Sequence, residues 1–365
     1  MKARRPSRIR RDPVRRGTAL RFGIVGLGNI AAFHAQAARA LKGGVLHSCF
    51  SRAPKKAQAF AHKHGCRPFF DYRAFLADPA LDIVTICTPS GAHLDPALAA
   101  ARAGKHLIVE KPLEITPARC RRIMAACRAA GVKLVTVYPS RFQDVSRAMK
   151  AAVEKRRLGS LVSGSAYVKW FRPQRYYDTR AWCRTWGASG GGALMNQGIH
   201  SVDLLLWLMG DPVRVAAFMS RPTRRGIEVE TNVVAALEFP GGALGVIEAS
   251  TEVFPGYPKR IEICGAHGAI AASEEELARW DFEAARPGDA GILRKFVKKS
   301  GASGGSSDPL AISYEGHRRQ FQELVDVLQG RKRALTCDGA EGLRSVRVVC
   351  AIYESARTGR PIRLR

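Results

Sequence analysis

Residues 20–31 read Leu-Arg-Phe-Gly-Ile-Val-Gly-Leu-Gly-Asn-Ile-Ala, and this stretch decides the fold. Its first six residues predict a short buried strand, and the alanine-rich residues that follow predict a helix. Between them lies the pattern G-x-G-x-x-A, in which the first glycine permits a tight turn and the second lets the backbone approach a pyrophosphate. The free N–H groups at the start of the helix attract the same anion. We therefore predict that four residues bind a dinucleotide cofactor: Gly26, Gly28, Asn29 and Ile30.

The alternation of strands and helices continues to about residue 138. Apolar runs at 45–50, 81–87, 105–109 and 132–137 are separated by helical segments, which is typical of a doubly wound parallel sheet. Such sheets bind ligands beyond the carboxyl ends of their strands. Residues that follow the run at 81–87 are therefore predicted to border the cofactor, namely Thr88, Pro89 and His93. We assign residues 20–138 to a Rossmann domain and residues 139–365 to a substrate-binding and oligomerisation domain.

The end of the second predicted strand bears on the choice of cofactor. An NAD-specific fold usually places an acidic residue there to hold the ribose 2′-hydroxyl. This chain has Ser51 and Arg52 instead, and a hydroxyl beside a guanidinium favours a 2′-phosphate. We expect NAD or NADP to bind, with NADP favoured. In the alternative interpretation, both residues are only exposed in a turn.

Glu110, Lys111 and Pro112 end the predicted strand at 105–109. A lysine at this place lies on the floor of the crevice, where its three donors orient a substrate hydroxyl and stabilise a developing alkoxide. The alternative is a solvated lysine at the end of a strand. Its position in a dinucleotide-binding sheet favours the first interpretation, and we count Glu110 and Lys111 among the residues around the cofactor.

A second glycine-rich stretch, residues 190–203, leads into an apolar helix that is predicted to end near residue 209. Asn196, His200 and Asp203 stand at i, i+4 and i+7, so a regular helix places them within an arc of roughly 60°. Three polar groups on one face either line a site or form a buried network. A crevice with Lys111 on its floor favours a site, in which Asn196 and His200 contact the substrate.

Residues 170–186 combine four arginines with aromatic rings in a long loop. Guanidinium groups and ring faces suit a lid over a sugar that bears a carboxylate or a phosphate. The alternative is a packed loop that bridges two domains. From this region and its flanks we select five further candidates for substrate binding: Lys169, Arg172, Tyr177, Trp182 and Arg184.

Length, charge and cysteine content restrict the class of protein. The 365 residues suffice for two domains, and no apolar run is long enough to span a bilayer. Residues 1–19 form a basic tail that we expect to be disordered, and residues 300–307 form a flexible glycine- and serine-rich loop. The net charge of +28 comes without a nucleic-acid-binding motif, so no nucleic-acid partner is expected. The nine cysteines lack metal-ligand spacing, which predicts reduced thiols, no metal site and a cytoplasmic location.

Three motifs together resemble the glucose–fructose oxidoreductase/inositol dehydrogenase (Gfo/Idh/MocA) family of NAD(P)-dependent enzymes. They are the turn at 26–31, the triplet at 110–112 and the helix at 196–203, and the closing segment 351–361 is also similar. The resemblance covers residues 20–365. It implies an α/β fold in which a Rossmann doubly wound sheet precedes an α/β domain with a large, open, mostly antiparallel sheet. Because an open sheet needs its exposed face covered, a homodimer or homotetramer is expected.

The same resemblance implies a reaction in which hydride passes between a nicotinamide and a secondary hydroxyl of a sugar derivative. Carried over by position, Lys111 and His200 act on that hydroxyl, while Asn196 stands where the family usually has a catalytic aspartate. The loop at 170–186 is similar to members that act on nucleotide sugars, particularly UDP-N-acetylglucosaminuronate 3-dehydrogenases. These often have Trp-Arg where this chain has Trp182-Cys183. Two alternatives remain open: a polyol or inositol dehydrogenase with the same site, and a cofactor-binding sensor without catalysis.

Overall fold

The computed structural model describes residues 18–297 and 313–364. Residues 1–17 of the predicted basic tail and the loop predicted at 300–307 lie outside the described residues. The described chain forms two sheets, one of six strands and one of eight. The fold class predicted from the sequence is therefore confirmed. Among the helices of the described part, none is both long and apolar enough to cross a membrane.

The first sheet is entirely parallel and has the order β3-β2-β1-β4-β5-β6. Its elements, in chain order, are β1 (Leu20–Val25), α1 (Asn29–Arg39), β2 (Gly44–Phe50), α2 (Pro54–His64), β3 (Arg67–Phe69), α3 (Tyr72–Ala77), β4 (Ile83–Ile86), α4 (Leu94–Arg102), β5 (His106–Val109), α5 (Pro117–Ala129) and β6 (Leu134–Thr136). The order of the strands reverses between β1 and β4. Doubly wound sheets bind ligands at such a switch point, beyond the carboxyl ends of the strands.

The second sheet is built from the rest of the chain. Its elements are α6 (Asp144–Glu154), β7 (Leu161–Lys169), α7 (Gln174–Asp178), α8 (Trp186–Ser189), α9 (Ile199–Met209), β8 (Arg214–Met219), β9 (Asn232–Glu238), β10 (Leu244–Ser250), β11 (Arg260–Gly265), β12 (Gly268–Ser273), β13 (Glu276–Phe282), α10 (Asp289–Phe296), α11 (Glu315–Leu328), α12 (Gly339–Thr358) and β14 (Ile362–Arg363). The strand order is β13-β12-β11-β7-β10-β9-β8-β14. Only the β7–β10 pair is parallel within this sheet of described residues, and the other pairs are antiparallel.

The eight-stranded sheet buries one face and leaves the other open. Helix α9 packs against β7, where a Cβ on Gly164 would meet Met209 and Leu205. Strands β7, β8, β9 and β10 alternate between buried and more exposed residues, as a sheet covered on one side requires. The open face carries apolar side chains, including Phe218 at 82% exposure and Leu244 at 61%.

Helix α11 belongs to the later part of the chain but packs against the first sheet. The ring of Phe321 stacks on Phe22 of β1 with centroids 6.3 Å apart, and Leu324 and Val325 join the same core. This packing brings His317, at the start of α11, close to the carboxyl end of β5. The later part of the chain therefore contributes a side chain at the edge of the first sheet where the strands have their carboxyl ends.

Candidate active site

The glycine turn after β1 touches the end of β4. Gly26 has φ +87°, and a Cβ there would lie 2.7 Å from the backbone of Cys87 and Thr88. Gly28 is the N-cap residue of α1, no side chain caps that helix, and no atom lies within 4 Å of where its Cβ would be. Open space in front of uncapped N–H groups fits the pyrophosphate of a dinucleotide. Asn29 begins the first turn of α1 beside this space.

The end of β2 presents a hydroxyl and a cationic side chain. The Oγ of Ser51 accepts a hydrogen bond from the backbone N–H of Ala53 at 3.2 Å, and Arg52 is exposed. No acidic residue lies between positions 51 and 56. The structure therefore keeps Ser51 and Arg52 available at the position where the ribose 2′ group binds in this class of fold.

His93 lies beneath the crevice and is buried. Its Nδ1 is 2.9 Å from the carbonyl oxygen of Pro112, and its Nε2 is 2.9 Å from the carbonyl oxygen of Thr88. Burial lowers the pKa of His93. The ring thus ties the loop after β4 to the cis Lys111–Pro112 segment after β5. Of the three residues predicted to border the cofactor, Thr88 lies against Gly26 through its backbone and Pro89 follows it in the chain, whereas the buried His93 joins the two loops.

Glu110 is also buried and holds the backbone of Lys111. Its Oε1 is 2.8 Å from Nε2 of His34 on α1, and its Oε2 accepts from the Lys111 N–H at 3.0 Å. Burial opposes ionisation, but the hydrogen bond and charge of His34 lower the pKa of Glu110 to about 2. Burial also opposes the charge of His34, yet Cys87 and Glu110 raise its pKa to about 10. Glu110 and His34 therefore form an ion pair beneath the catalytic candidate Lys111.

His317 joins this pair from α11. Its Nε2 is 4.0 Å from Oε1 of Glu110, and potential ligand atoms of His34, Glu110 and His317 all lie within 4.8 Å of one another. Such a trio has the donor chemistry of a metal site. Both oxygens of Glu110 already accept hydrogen bonds, however, so the three residues form a buried polar cluster around the Glu110–His34 ion pair.

Lys111 reaches from the first sheet to the stretch that precedes α9. Its Nζ donates to the backbone carbonyl of Asn196 at 2.7 Å. Burial lowers the pKa of Lys111, while the charge of Glu110 raises it. This contact joins the end of β5 to the chain four residues before His200, and the charge of Lys111 also acts on the His200 imidazole.

The helix predicted from about residue 193 begins differently. Residues Ala193–Gly198 form a π-helical turn, and α9 starts only at Ile199. Of the three residues predicted to share one face, Asn196 therefore lies in the π-helical turn, whereas His200 and Asp203 lie in α9. The amide Nδ2 of Asn196 points to Sγ of Cys183 at 3.5 Å. π-Helical turns occur often at functional sites.

His200 stands at the start of α9 with its ring 5.9 Å from that of Tyr138. Its Nδ1 is buried and has no hydrogen-bond partner among the described residues. Burial, followed by the positive charge of Lys111, holds the pKa of His200 well below its usual value. The imidazole is therefore neutral at physiological pH and able to accept a proton.

Asp203 has a different environment, which the sequence did not reveal. Its carboxylate is buried and accepts from Nε and Nη2 of Arg141 at 2.8 and 2.7 Å. Ser345 donates to it at 3.2 Å, and Arg141 also donates to Glu341 at 2.6 Å. Burial raises the pKa of Asp203, against the opposing effect of the guanidinium. Of the two possibilities for these polar groups, lining a site or forming a buried network, the contacts of Asp203 support the network.

The aromatic- and arginine-rich loop lies against the π-helical turn. Nε2 of Gln197 donates to the hydroxyl of Tyr176 at 2.7 Å, and Nη2 of Arg172 lies 3.4 Å from Oε1 of Gln197. The guanidinium of Arg172 also packs over the rings of Trp170 and Tyr176. The loop therefore brings Arg172 to the stretch that carries Asn196.

The other substrate-binding candidates occupy different places. The hydroxyl of Tyr177 forms a hydrogen bond with Thr251 at 2.8 Å, and Trp182 packs in the small apolar cluster around it. Nη1 of Arg184 lies near Gly226. Lys169 forms an ion pair with Glu248 at 3.0 Å on the open face of the sheet, away from α9.

The sequence did not identify Glu230, a buried acidic residue that contacts the start of the π-helical turn. Glu230 accepts from the N–H groups of Gly192 and Leu194 and from the hydroxyl of Tyr353. Burial raises the pKa of Glu230 to about 7. The only signal in the sequence was an acidic residue at the start of an apolar strand, in Val229-Glu230-Thr231.

Family models match most of the two regions described above. The model described as "Oxidoreductase family, NAD-binding Rossmann fold" matches residues 20–138, and the model described as "GFO/IDH/MocA C-terminal domain" matches residues 146–271. A myo-inositol 2-dehydrogenase from Thermotoga maritima is 28% identical over 259 residues, which are 69% of this chain and 75% of that protein.

Two solved structures extend the similarity over nearly the whole chain. The WlbA dehydrogenase from Bordetella pertussis, in complex with NADH and UDP-GlcNAcA, is 32% identical with a TM-score of 0.85 and covers 95% of this chain and 98% of its own. The WlbA dehydrogenase from Chromobacterium violaceum, with the same two ligands, is 29% identical with a TM-score of 0.86 and covers 98% and 99%. With the glycine turn and the crevice between the sheets, these matches show that the chain belongs to the GFO/IDH/MocA family of NAD(P)-dependent oxidoreductases.

Proposed function

We propose that the protein is a dehydrogenase for a secondary hydroxyl of an anionic sugar, with a nucleotide-linked hexuronate as the favoured substrate. The observation that carries this proposal is the 2.7 Å hydrogen bond from Nζ of Lys111 to the carbonyl oxygen of Asn196. The hydrogen bond joins Lys111 to the backbone four residues before His200, and the charge of Lys111 acts on that imidazole. This is the arrangement that oxidation of an alcohol requires.

The residues of the crevice have separate roles in this proposal. Bound NAD(P) supplies the hydride acceptor for oxidation, or the donor for reduction. Lys111 donates a hydrogen bond to the reacting oxygen, and neutral His200 accepts the hydroxyl proton. Asn196 cannot take a proton as a carboxylate does, so its contribution is the backbone carbonyl that holds Lys111. An anionic substrate raises the pKa of His200 and so makes it a stronger base.

The loop beside the π-helical turn supports an anionic substrate. The guanidinium of Arg172 lies over two aromatic rings near Gln197, and Arg180 lies over Tyr176. Guanidinium groups favour carboxylate and phosphate, and ring faces favour a base or a sugar. The two WlbA structures contain UDP-GlcNAcA, which has a carboxylate, phosphates, a base and sugars. UDP-N-acetylglucosaminuronate 3-dehydrogenases often have an arginine where this chain has Cys183. Because Cys183 lies beside Asn196, we expect the substrate site to differ from theirs at this point.

The end of β2 favours NADP over NAD as the cofactor. Ser51 and Arg52 stand where an acid would select NAD, although both WlbA structures contain NADH. Steady-state kinetics with NAD⁺ and NADP⁺ test this preference. We expect Arg52→Ala to raise the KM for NADP⁺ and to leave that for NAD⁺ nearly unchanged. A wild-type enzyme that uses NAD⁺ better would contradict the NADP preference alone.

The open face of the second sheet supports a homodimer or a homotetramer. Its strands carry exposed apolar side chains such as Phe218 and Leu244. Exposed apolar surface of this kind usually marks an interface. Size-exclusion chromatography with light scattering measures the assembly. Phe218→Asp is expected to dissociate it, and a monomeric wild type would contradict this part of the proposal.

Turnover on a substrate panel tests the central proposal. We expect absorbance changes at the nicotinamide band with UDP-linked hexuronates and a loss of kcat in Lys111→Met and His200→Asn, with cofactor affinity retained. The exposed Lys133 and His267 offer matched controls through Lys133→Met and His267→Asn. If Lys111→Met keeps wild-type turnover on the true substrate, the assigned mechanism is wrong.

A polyol or inositol dehydrogenase is the second candidate, because the Thermotoga maritima relative is a myo-inositol 2-dehydrogenase. Thermal stabilisation by UDP separates the two candidates. A shift with UDP supports a nucleotide sugar, and turnover of myo-inositol without any response to UDP supports the polyol. If the cofactor binds but no sugar or polyol is turned over, the protein is a cofactor-binding sensor.

A further inference from the structure

The π-helical turn Ala193–Gly198 is held from outside by one buried residue. Glu230 is 2% exposed, and its Oε2 and Oε1 accept from the N–H groups of Gly192 and Leu194 at 2.7 and 2.8 Å. Its backbone carbonyl accepts from the N–H of Ala193, which lies between them, at 3.0 Å. A single residue therefore satisfies three consecutive backbone donors.

Tyr353 on α12 completes this arrangement. Its hydroxyl donates to Oε1 of Glu230 at 2.8 Å and accepts from the N–H of Met195 at 3.0 Å. The first N–H groups of a helix have no partner within the helix, and burial without partners is costly. Here those of residues 192–195 are all bound by Glu230 and Tyr353, which fixes the turn in place.

The glycines before the turn are explained by the same contacts. A Cβ on Gly191 would overlap the hydroxyl of Tyr353, and one on Gly192 would overlap the carbonyl oxygen of Glu230. Glycines in such a stretch let the chain turn sharply or let another group approach the backbone closely. In the structure, it is Glu230 and Tyr353 that approach the backbone.

The turn has a direct consequence for the site. The carbonyl of Asn196, within the turn, accepts the hydrogen bond from Nζ of Lys111. A shift of the turn therefore moves the acceptor that orients the ammonium group. A carboxylate suits this place because both of its oxygens accept, whereas an amide would turn an NH₂ group towards one of the two backbone donors.

We propose that Glu230, together with Tyr353, is a positioning residue for the dehydrogenase reaction, because it fixes the turn whose carbonyl orients Lys111. Nothing in this role requires contact with substrate or cofactor. The inference rests on the proposed function for its effect on turnover. Its effect on Lys111 itself is independent of any substrate.

Two variants and a control test the inference. Glu230→Gln removes a carboxylate whose two oxygens both accept, and Tyr353→Phe removes the hydroxyl. The control Glu238→Gln makes the same Glu-to-Gln substitution at an exposed ion pair on β9. We expect kcat to fall roughly 10-fold to 100-fold in Glu230→Gln and less in Tyr353→Phe, with the Kd for the reduced cofactor unchanged, since small misplacements of a catalytic group have effects of this size. Glu238→Gln should keep wild-type values.

A second measurement follows Lys111 without turnover. The alkaline pH dependence of its acetylation by acetic anhydride, read by mass spectrometry, reports how well the ammonium group is held. We expect the midpoint to shift to lower pH in Glu230→Gln, because the ammonium loses its carbonyl acceptor, and to stay unchanged in Glu238→Gln. If Glu230→Gln does not fold, Tyr353→Phe carries the test with the same directions.

The outcomes separate this inference from the proposed function. Variants that melt at lower temperature but keep wild-type kcat and Lys111 labelling would show a purely structural role and overturn the inference. A wild-type protein without turnover on any sugar or polyol would overturn the proposed function, while the labelling shift would still decide the role of Glu230.

Discussion

Asp203→Asn distinguishes a structural role of Asp203 from a catalytic one. In the structure, both carboxylate oxygens accept from Arg141, and the two side chains are 0% and 1% exposed. Removing one partner of a buried ion pair costs about 3–5 kcal/mol, because the other charge stays buried. Glu341 remains as a second, partly exposed partner of Arg141, so we expect a loss near the lower end, about 3 kcal/mol.

Urea unfolding followed by tryptophan fluorescence measures this loss. Trp207 lies on α9 with the guanidinium of Arg141 5.5 Å from its ring centroid, so the signal includes the region that changes. Asp211→Asn is the matched control, because this exposed carboxylate pairs with Arg344 and Arg347 just beyond α9. An exposed ion pair contributes at most about 1 kcal/mol, so the control should stay near wild type.

Kinetics complete the test. Because Arg141 binds both carboxylate oxygens of Asp203, we expect kcat of folded Asp203→Asn to stay within a few-fold of wild type. A protein with wild-type stability and a kcat reduced by orders of magnitude would refute this reasoning. It would show that Asp203 orients His200 during the reaction.

Three further predictions follow from the same geometry. Burial raises the pKa of Glu230 to about 7, so its contribution to stability is fully present below its unfolded pKa and is lost as the pH rises through 7. The unfolding free energy of Glu230→Gln, taken relative to wild type, should therefore increase by about 3 kcal/mol between acidic pH and pH 8. If urea unfolding gives the same difference between the two proteins at every pH, this prediction is contradicted. Gly26→Ala should destabilise the fold because of φ +87° and the backbone contact, whereas Gly28→Ala should keep the melting temperature but weaken cofactor binding in fluorescence titrations. In Lys111→Met the pKa of His200 should rise, which an NMR titration of the imidazole measures; an unchanged pKa would mean that the two groups do not interact.

Local patterns in the sequence predicted the cofactor side of the molecule well. The strand–turn–helix at 20–31, the alternation to residue 138 and the two-sheet fold are confirmed. These features depend on neighbours in sequence, because glycine at a tight turn and apolar periodicity act over a few residues. The roles of Lys111 and His200 remain predictions, although the structure brings both into one crevice.

The prediction of a helix that ends near residue 209 is confirmed, but its first turn at 193–198 differs from a regular helix, because distant residues decide the backbone there. A regular helix was the natural expectation from an apolar run, but Glu230 and Tyr353 bind the first N–H groups, and the turn is π-helical. Glu230 lies 38 residues from Gly192 and 123 residues from Tyr353. No local pattern reports contacts of that length.

The sequence by itself determined that the chain has a dinucleotide-binding turn at Gly26, a lysine at the end of a parallel strand and a glycine-rich approach to His200. Only the tertiary structure decided what these parts do for one another. In the structure, Asp203 pairs with Arg141, and the backbone at Gly191 and Gly192 packs against Tyr353 and Glu230. The carbonyl of Asn196 accepts a hydrogen bond from Lys111. The physical reason is that buried polar groups must find partners wherever the fold supplies them, and those partners are set by packing between distant segments.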